Sequence, residues 1–162
     1  MIPAAPRIEL APWLRHARQH DGLRERMADG TLNPVVRDCF RHTRFPAAMV
    51  SIRTPWCGAF ACACLELADV RSPRTARARD FLDWGIALVW PVFGAALVFE
   101  RGPGGGHVGF CDRGLQLGAL TISCFGGNQG DAACSRPQPL AALLGVRWPD
   151  GWPLPPEAER LS

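Results

Sequence analysis

The stretch TPWCGAFACAC, from Thr54 to Cys64, decides how the rest of the chain is interpreted. A threonine followed by a proline at the start of an apolar run predicts a helix from Thr54 to about Val70, with Thr54 as its N-cap. Cys57 would then occupy the third helical position, where backbone N–H groups have no acceptor within the helix. Because the helix dipole and these N–H groups favour a thiolate, Cys57 is a candidate nucleophile.

The same helix has one apolar face that begins at Cys57 and continues through Phe60, Cys64 and Leu65. The face that buries the helix is therefore the face that presents Cys57, and we expect its chemical partner on a strand packed against it. The alternative is a buried structural cysteine, because free cysteine is among the most buried residue types and this chain has seven.

Outside this stretch the pattern predicts helices first and strands afterwards, which is typical of an α+β domain. The expected helices, besides the one above, cover residues 12–27, 34–43 and 72–85. From residue 89 onward, short apolar runs are broken by Gly and Pro, as in a small antiparallel sheet that ends in the strand LLGVRWP. A chain of 162 residues is the size of one domain, so we assign residues 1–162 to a single domain with a core over about 12–149 and a Pro-rich tail over 150–162.

Composition narrows the class of protein. With 48% hydrophobic and 20% charged residues, the chain is typical of a globular protein, and no apolar run is long enough to span a bilayer. The formal charge of +3 is too small to indicate nucleic-acid binding. The start of the chain lacks the pattern of a Sec signal, and seven irregularly spaced cysteines favour folding in a reducing compartment.

His107 is the candidate partner of Cys57. It follows the glycine run GPGGG and opens an apolar strand, where Gly106 leaves room for a substrate. A neutral imidazole there would take the thiol proton and later protonate a leaving amine. If the two following runs form a hairpin centred near Leu117 and Gly118, Asn128 comes back beside His107, and its amide would orient the ring as the third member of a Cys-His-Asn triad.

Five motifs in this order resemble the papain-like bacterial cell-wall hydrolases of the NlpC and CHAP kind: TPWCGAF, DFLDWG, GGHVGF, GGNQGD and LLGVRWP. The resemblance covers most of the chain and is greatest to the small single-domain forms of phage-like and secreted-effector contexts. It implies a papain-like fold, with the nucleophile at the start of a helix packed on the sheet. It also implies cleavage of a peptidoglycan amide bond through Cys57, His107 and Asn128.

The chain departs from that family at two positions. Ala95 stands where the strand before the histidine usually has an acidic residue, and Gly126 stands where CHAP-type sites often have one. Gln129 and Asp131 are therefore alternatives to Asn128 as the third member. Trp56, Gly106 and Gln129 are the candidate substrate-binding residues.

The expected function is thus a peptidoglycan endopeptidase or amidase that acts through a cysteinyl acyl-enzyme, without metal or cofactor. Cys62 and Cys64 point away from each other on a helix and are expected to fill the core instead of binding an ion. The substrate lies outside the cytoplasm, so we expect synthesis in the cytoplasm and action in the periplasm after delivery by a secretion system or a holin. An injected toxin would require an immunity protein, most simply one covering the cleft at Cys57.

Three alternatives to the toxin remain at this stage. The first is a prophage endolysin with the same chemistry. The second is an inactive papain-like binding module, and the third is a deamidase or acyltransferase directed at a protein.

Overall fold

A computed structural model describes residues 10–159 as an α+β arrangement of short helices and one six-stranded sheet. The helices are α1 (Pro12–Arg18), α2 (Pro34–Cys39), α3 (Cys57–Leu67) and α4 (Pro156–Glu159). The strands are β1 (Ile86–Leu88), β2 (Ala96–Glu100), β3 (Gly106–Cys111), β4 (Thr121–Gly126), β5 (Cys134–Pro139) and β6 (Leu143–Trp148). The predicted α+β class and the antiparallel sheet are confirmed. A papain-like fold is a more specific assignment, which these elements alone do not establish.

The sheet has the order β1-β6-β2-β3-β4-β5, and all neighbouring strands are antiparallel. Its two central strands, β2 and β3, carry almost only buried side chains. Helix α3 packs against β3 and β4 of the sheet and also against α1 and α2. The helix that begins at Cys57 is therefore the centre of the core, with every residue from Cys57 to Leu65 buried.

Helix α3 begins later than the sequence pattern predicts. Trp56 occupies the N-cap position without a side-chain cap, so Cys57 is the first helical residue and not the third. The Thr54 hydroxyl instead accepts the backbone N–H of Ser51 at 2.9 Å, which closes a turn ahead of the helix. Cys57 still lies where backbone N–H groups have no acceptor within the helix.

Two of the predicted helices are wrong in extent or type. The first ends at Arg18, because the chain beyond it forms turns and an isolated antiparallel bridge between Arg24 and Ala132. The fourth is a 3₁₀ helix over Ala78–Asp83, preceded by a segment without regular structure. That segment crosses the start of α3 so closely that a Cβ on Gly58 would lie 2.5 Å from the Ala76 carbonyl oxygen. In both segments, contacts with distant parts of the chain outweigh the local preference for an α-helix.

The C-terminal tail contributes to the core. The Trp152 ring lies edge-on against Trp13 with centroids 5.3 Å apart, and its backbone carbonyl accepts the indole N–H of Trp148. Within residues 10–159, no helix has the length and apolar character needed to cross a bilayer.

Candidate active site

Cys57 lines a pocket of about 240 Å³. The pocket walls include Thr54, Phe45 and residues 104–106, so Gly106 borders the thiol as the sequence predicts. Cys57 is only 2% exposed. The backbone of Val108, the residue that follows His107 on β3, lies close enough to lower the pKa of the Cys57 thiol. The Cys57 thiol therefore lies next to the backbone of β3, one residue along the strand from His107, and among the described residues no hydrogen bond joins it to the His107 ring.

His107 is fully buried near the start of β3, where its ring stacks on Phe99 with centroids 6.4 Å apart. Its Nε2 atom lies 3.0 Å from the Oε1 atom of Gln129. Its Nδ1 atom is buried and has no hydrogen-bond partner among the described residues. The two ring nitrogens thus differ sharply in their surroundings.

The hydrogen bonds of Gln129 determine which nitrogen of His107 carries the proton. The Gln129 Nε2 group donates to the carbonyl oxygens of Cys124, at 3.0 Å, and Cys134. Its Oε1 atom accepts from the side-chain amide of Gln138 at 2.6 Å. Because Oε1 can only accept, His107 donates from Nε2 and leaves Nδ1 with a free lone pair. An unprotonated, unpaired Nδ1 is the atom that a base beside a thiol requires.

The carboxamide on the imidazole belongs to Gln129 and not to Asn128. β3 pairs Phe110 with Phe125 and Cys111 with Cys124, which centres the hairpin between Leu117 and Gly118 as expected. If the pairing of β3 with β4 continued in that register, Asn128 would lie opposite His107. However, β4 ends at Gly126, and Asn128 adopts a left-handed φ of 58°. This turn brings the next side chain, Gln129, to the ring.

The two neighbouring candidates have structural roles instead. The Asn128 backbone carbonyl accepts a hydrogen bond from Arg101 at 3.4 Å. The Asp131 carbonyl accepts the backbone N–H of Glu25, and Asp131 itself has a left-handed φ of 59°. Gln129, expected to contact substrate or to replace Asn128, is 1% exposed and serves the ring of His107.

Trp56 does not line the pocket, in contrast to the sequence-based expectation. It is fully buried, and its indole N–H donates to the carboxylate of Glu25 at 3.1 Å. Its ring lies so close to Gly127 that a Cβ there would approach it to 2.6 Å. Trp56 therefore fixes the start of α3 against the turn that carries Gln129. Sequence reasoning missed Glu25, because it lies 31 residues from Trp56 along the chain.

Burial dominates the electrostatics of the pair. It raises the pKa of the Cys57 thiol above its ordinary value, although Val108, the charge of Arg101 and the N–H groups at the start of α3 act in the opposite direction. Burial also lowers the pKa of His107 from 6.5 to about 3, aided by Arg101 and opposed by Gln129. The resting pair at neutral pH is therefore a thiol and a neutral imidazole, where the sequence had indicated a thiolate.

This low pKa predicts a specific loss of stability in acid. The folded protein resists protonation of His107 down to about pH 3, whereas the unfolded chain takes up that proton near pH 6.5. Stability is thus intact above pH 6.5 and falls by about 1.4 kcal/mol per pH unit below it. Between pH 7.5 and 5.0, urea unfolding should show wild type losing about 2 kcal/mol more than His107→Asn. Equal losses would show that His107 is protonated in the fold.

Among residues 10–159, no three His, Cys, Asp or Glu side chains cluster in a way that could hold a metal ion. Cys62 and Cys64 are buried in α3, and the Cys62 thiol donates to the Thr75 carbonyl at 3.4 Å.

The chain matches no family model, no curated protein and no solved structure.

Proposed function

We propose that this protein is a cysteine hydrolase that cleaves an amide bond. The observation that carries the proposal is His107, buried on the strand that packs against α3, with Nε2 held by Gln129 and Nδ1 without a partner among the described residues. A structural histidine in a core would have both nitrogens satisfied, because an unpaired buried polar atom costs about 1–3 kcal/mol. Here that cost is explained if Nδ1 exists to accept the proton of Cys57.

The reaction would proceed in two steps through an acyl-enzyme. Cys57 Sγ attacks the amide carbonyl carbon while its proton passes to His107 Nδ1, and the resulting imidazolium then protonates the departing amine as the C–N bond breaks. The developing oxyanion would be met by the backbone N–H of Cys57, a type of contact worth about 3 kcal/mol. Water, deprotonated by His107, then attacks the thioester and releases the acid together with the Cys57 thiol.

Bacterial peptidoglycan is the substrate we propose, on the strength of the ordered motifs TPWCGAF, GGHVGF and GGNQGD. The site geometry supports the hydrolase chemistry on which that choice depends. Incubation of the protein with purified sacculi, followed by mass spectrometry of the released fragments, tests the proposal and identifies the bond. Release of fragments with new amine and carboxyl termini is expected, and intact sacculi would contradict it.

The third member of the triad can be tested by a matched pair of neighbouring substitutions. Gln129→Ala removes the acceptor that keeps the proton of His107 on Nε2, so kcat should fall by roughly 10–100-fold with little change in KM. Asn128→Gly, which tolerates the left-handed backbone, should leave kcat nearly unchanged, because Asn128 contributes its backbone carbonyl. Gln129→Glu, which retains an acceptor, should recover part of the loss. A large effect at Asn128 with none at Gln129 would reverse this assignment.

The proposed substrate also predicts where the protein is toxic. We propose that it acts in the periplasm, as an antibacterial effector opposed by an immunity protein that covers the pocket at Cys57. Expression with a periplasmic signal should lyse a bacterial host, whereas cytoplasmic expression should be harmless because peptidoglycan is absent there. Growth curves with wild type and Cys57→Ala in both compartments measure this. Toxicity confined to the cytoplasm would favour a protein-directed deamidase or acyltransferase.

A further inference from the structure

The pocket at Cys57 has arginines in its wall but no acidic residue. Arg77 and Arg79 both border it, and the remaining lining residues are apolar, glycine or Thr54, apart from Cys57 itself. A concave surface with one sign of charge raises the local concentration of oppositely charged groups. The pocket is therefore electrostatically suited to an anion close to the reacting sulfur.

The two arginines are held very differently. Arg79 donates from Nε to the Gly105 carbonyl at 2.8 Å and from Nη2 to Glu100 at 3.1 Å, with a side chain only 30% exposed. It holds the glycine-rich loop in place. The Arg77 side chain is 78% exposed, and among residues 10–159 its one ion-pair contact is with Asp80 at 4.0 Å. Such a distant exposed contact contributes little, so the guanidinium of Arg77 is available to a ligand.

A third cation, which does not line the pocket, acts on both Cys57 and His107. Arg101 follows β2, is exposed, and donates from Nη1 to the Asn128 carbonyl at 3.4 Å. Its positive charge lowers the pKa of both Cys57 and His107, so it lies within electrostatic range of both groups. A neighbouring cation assists the thiolate but opposes the imidazolium that must form during the reaction. A substrate anion near Arg101 would offset that opposition.

Building on the proposed function, we propose that the pocket binds a free carboxylate of the substrate next to the scissile amide, with Arg77 as the carboxylate-binding residue and the charge of Arg101 acting at longer range. A guanidinium matches a carboxylate in a bidentate geometry, and charge-assisted hydrogen bonds are about twice as strong as neutral ones. A volume of about 240 Å³ suits a small acidic group adjoining the amide. The substrate class is accordingly an acidic peptide or an amide of an amino acid that retains a free carboxyl group.

Alkylation of Cys57 by iodoacetate and by iodoacetamide tests this without any peptidoglycan. In both reactions the S–C bond forms, the C–I bond breaks with loss of iodide, and the thiol proton passes to His107 or buffer. The two reagents differ only in one group, which is a negatively charged carboxylate in iodoacetate and a neutral amide in iodoacetamide. We expect the rate ratio of iodoacetate to iodoacetamide at Cys57 to be about tenfold higher than at Cys134, a partly exposed thiol on β5 in the same sample. Peptide mass spectrometry measures both ratios, and added salt should reduce the difference.

Substitutions then assign the preference to residues. Arg77→Gln and Arg101→Gln should each lower the ratio at Cys57, and the double variant should bring it to that of Cys134. Arg113→Gln is the matched control, because Arg113 is exposed beyond the opposite end of β3 from the pocket, and it should change nothing. Equal ratios at the two cysteines, no response to either pocket variant, or failure of both reagents to reach Cys57 would overturn the carboxylate pocket.

The sacculus assay separates this inference from the proposed function. Cleavage of sacculi with equal alkylation ratios would remove the carboxylate pocket and keep the hydrolase. A retained preference for iodoacetate without cleavage of sacculi would remove peptidoglycan as the substrate and assign the pocket to a different acidic amide.

Discussion

Replacement of Cys57 by alanine is expected to reduce the release of fragments from sacculi by at least about 1,000-fold, because no other group can form the acyl-enzyme. Cys57 is buried at the first position of α3, so loss of its sulfur should leave the helix in place. The measurement is the initial rate of fragment release by wild type and variant, with circular dichroism spectra recorded on the same samples.

Cys62→Ala is the matched control for this variant. It makes the same chemical change in the same helix, at a buried thiol that donates to the Thr75 carbonyl instead of bordering the pocket. We expect a small loss of stability, of about 1 kcal/mol, and full activity. A Cys57→Ala protein as active as Cys62→Ala would end the proposal of a cysteine hydrolase.

Replacement of His107 by alanine should cost nearly as much activity as the loss of Cys57. The raised pKa of the buried thiol means that Cys57 is protonated at neutral pH, so attack requires a base at the moment of reaction. The double variant Cys57→Ala, His107→Ala should be no less active than either single variant, because the two residues act as one unit. Rates on sacculi for the three proteins give the comparison. Additive losses would show that the residues act independently.

The pH profile distinguishes this neutral pair from a preformed thiolate and imidazolium pair. With His107 titrating at about 3 and the thiol above its ordinary pKa, kcat/KM should form a broad plateau through the neutral range. The active form is the neutral pair, so activity falls only when acid protonates His107 or when alkali ionises Cys57. A profile that rises through pH 6.5 would mean that His107 is protonated in the folded protein.

Much of the site could be predicted from short-range pattern. The threonine and proline ahead of an apolar run located the start of a helix to within three residues, because capping and proline placement are local effects. The alternating and apolar runs after residue 89 indicated antiparallel strands, and β3, β4 and β6 lie where the runs were seen. The glycine run before His107 correctly indicated an open approach, since Gly106 borders the pocket.

The two short edge strands, β1 and β5, were harder to predict from the sequence. β1 has three residues and β5 contains two prolines, so neither shows a clear strand pattern. Both strands form because their neighbours, β6 and β4, offer backbone partners. The roles of Trp56 and Glu25 were equally hidden, because their hydrogen bond joins positions 31 residues apart.

The sequence by itself determined which helix carries the thiol, which strand carries the imidazole and where the hairpin between β3 and β4 turns. Each of these follows from periodicity or turn chemistry within a few residues. Only the tertiary structure decided that Gln129 and not Asn128 holds the ring, since the left-handed turn after β4 shifts the register by one side chain. It also decided that the pair rests in its neutral form and that Arg77 borders the pocket. Burial and charge at a site depend on distant segments that fold over it, and no local pattern contains that information.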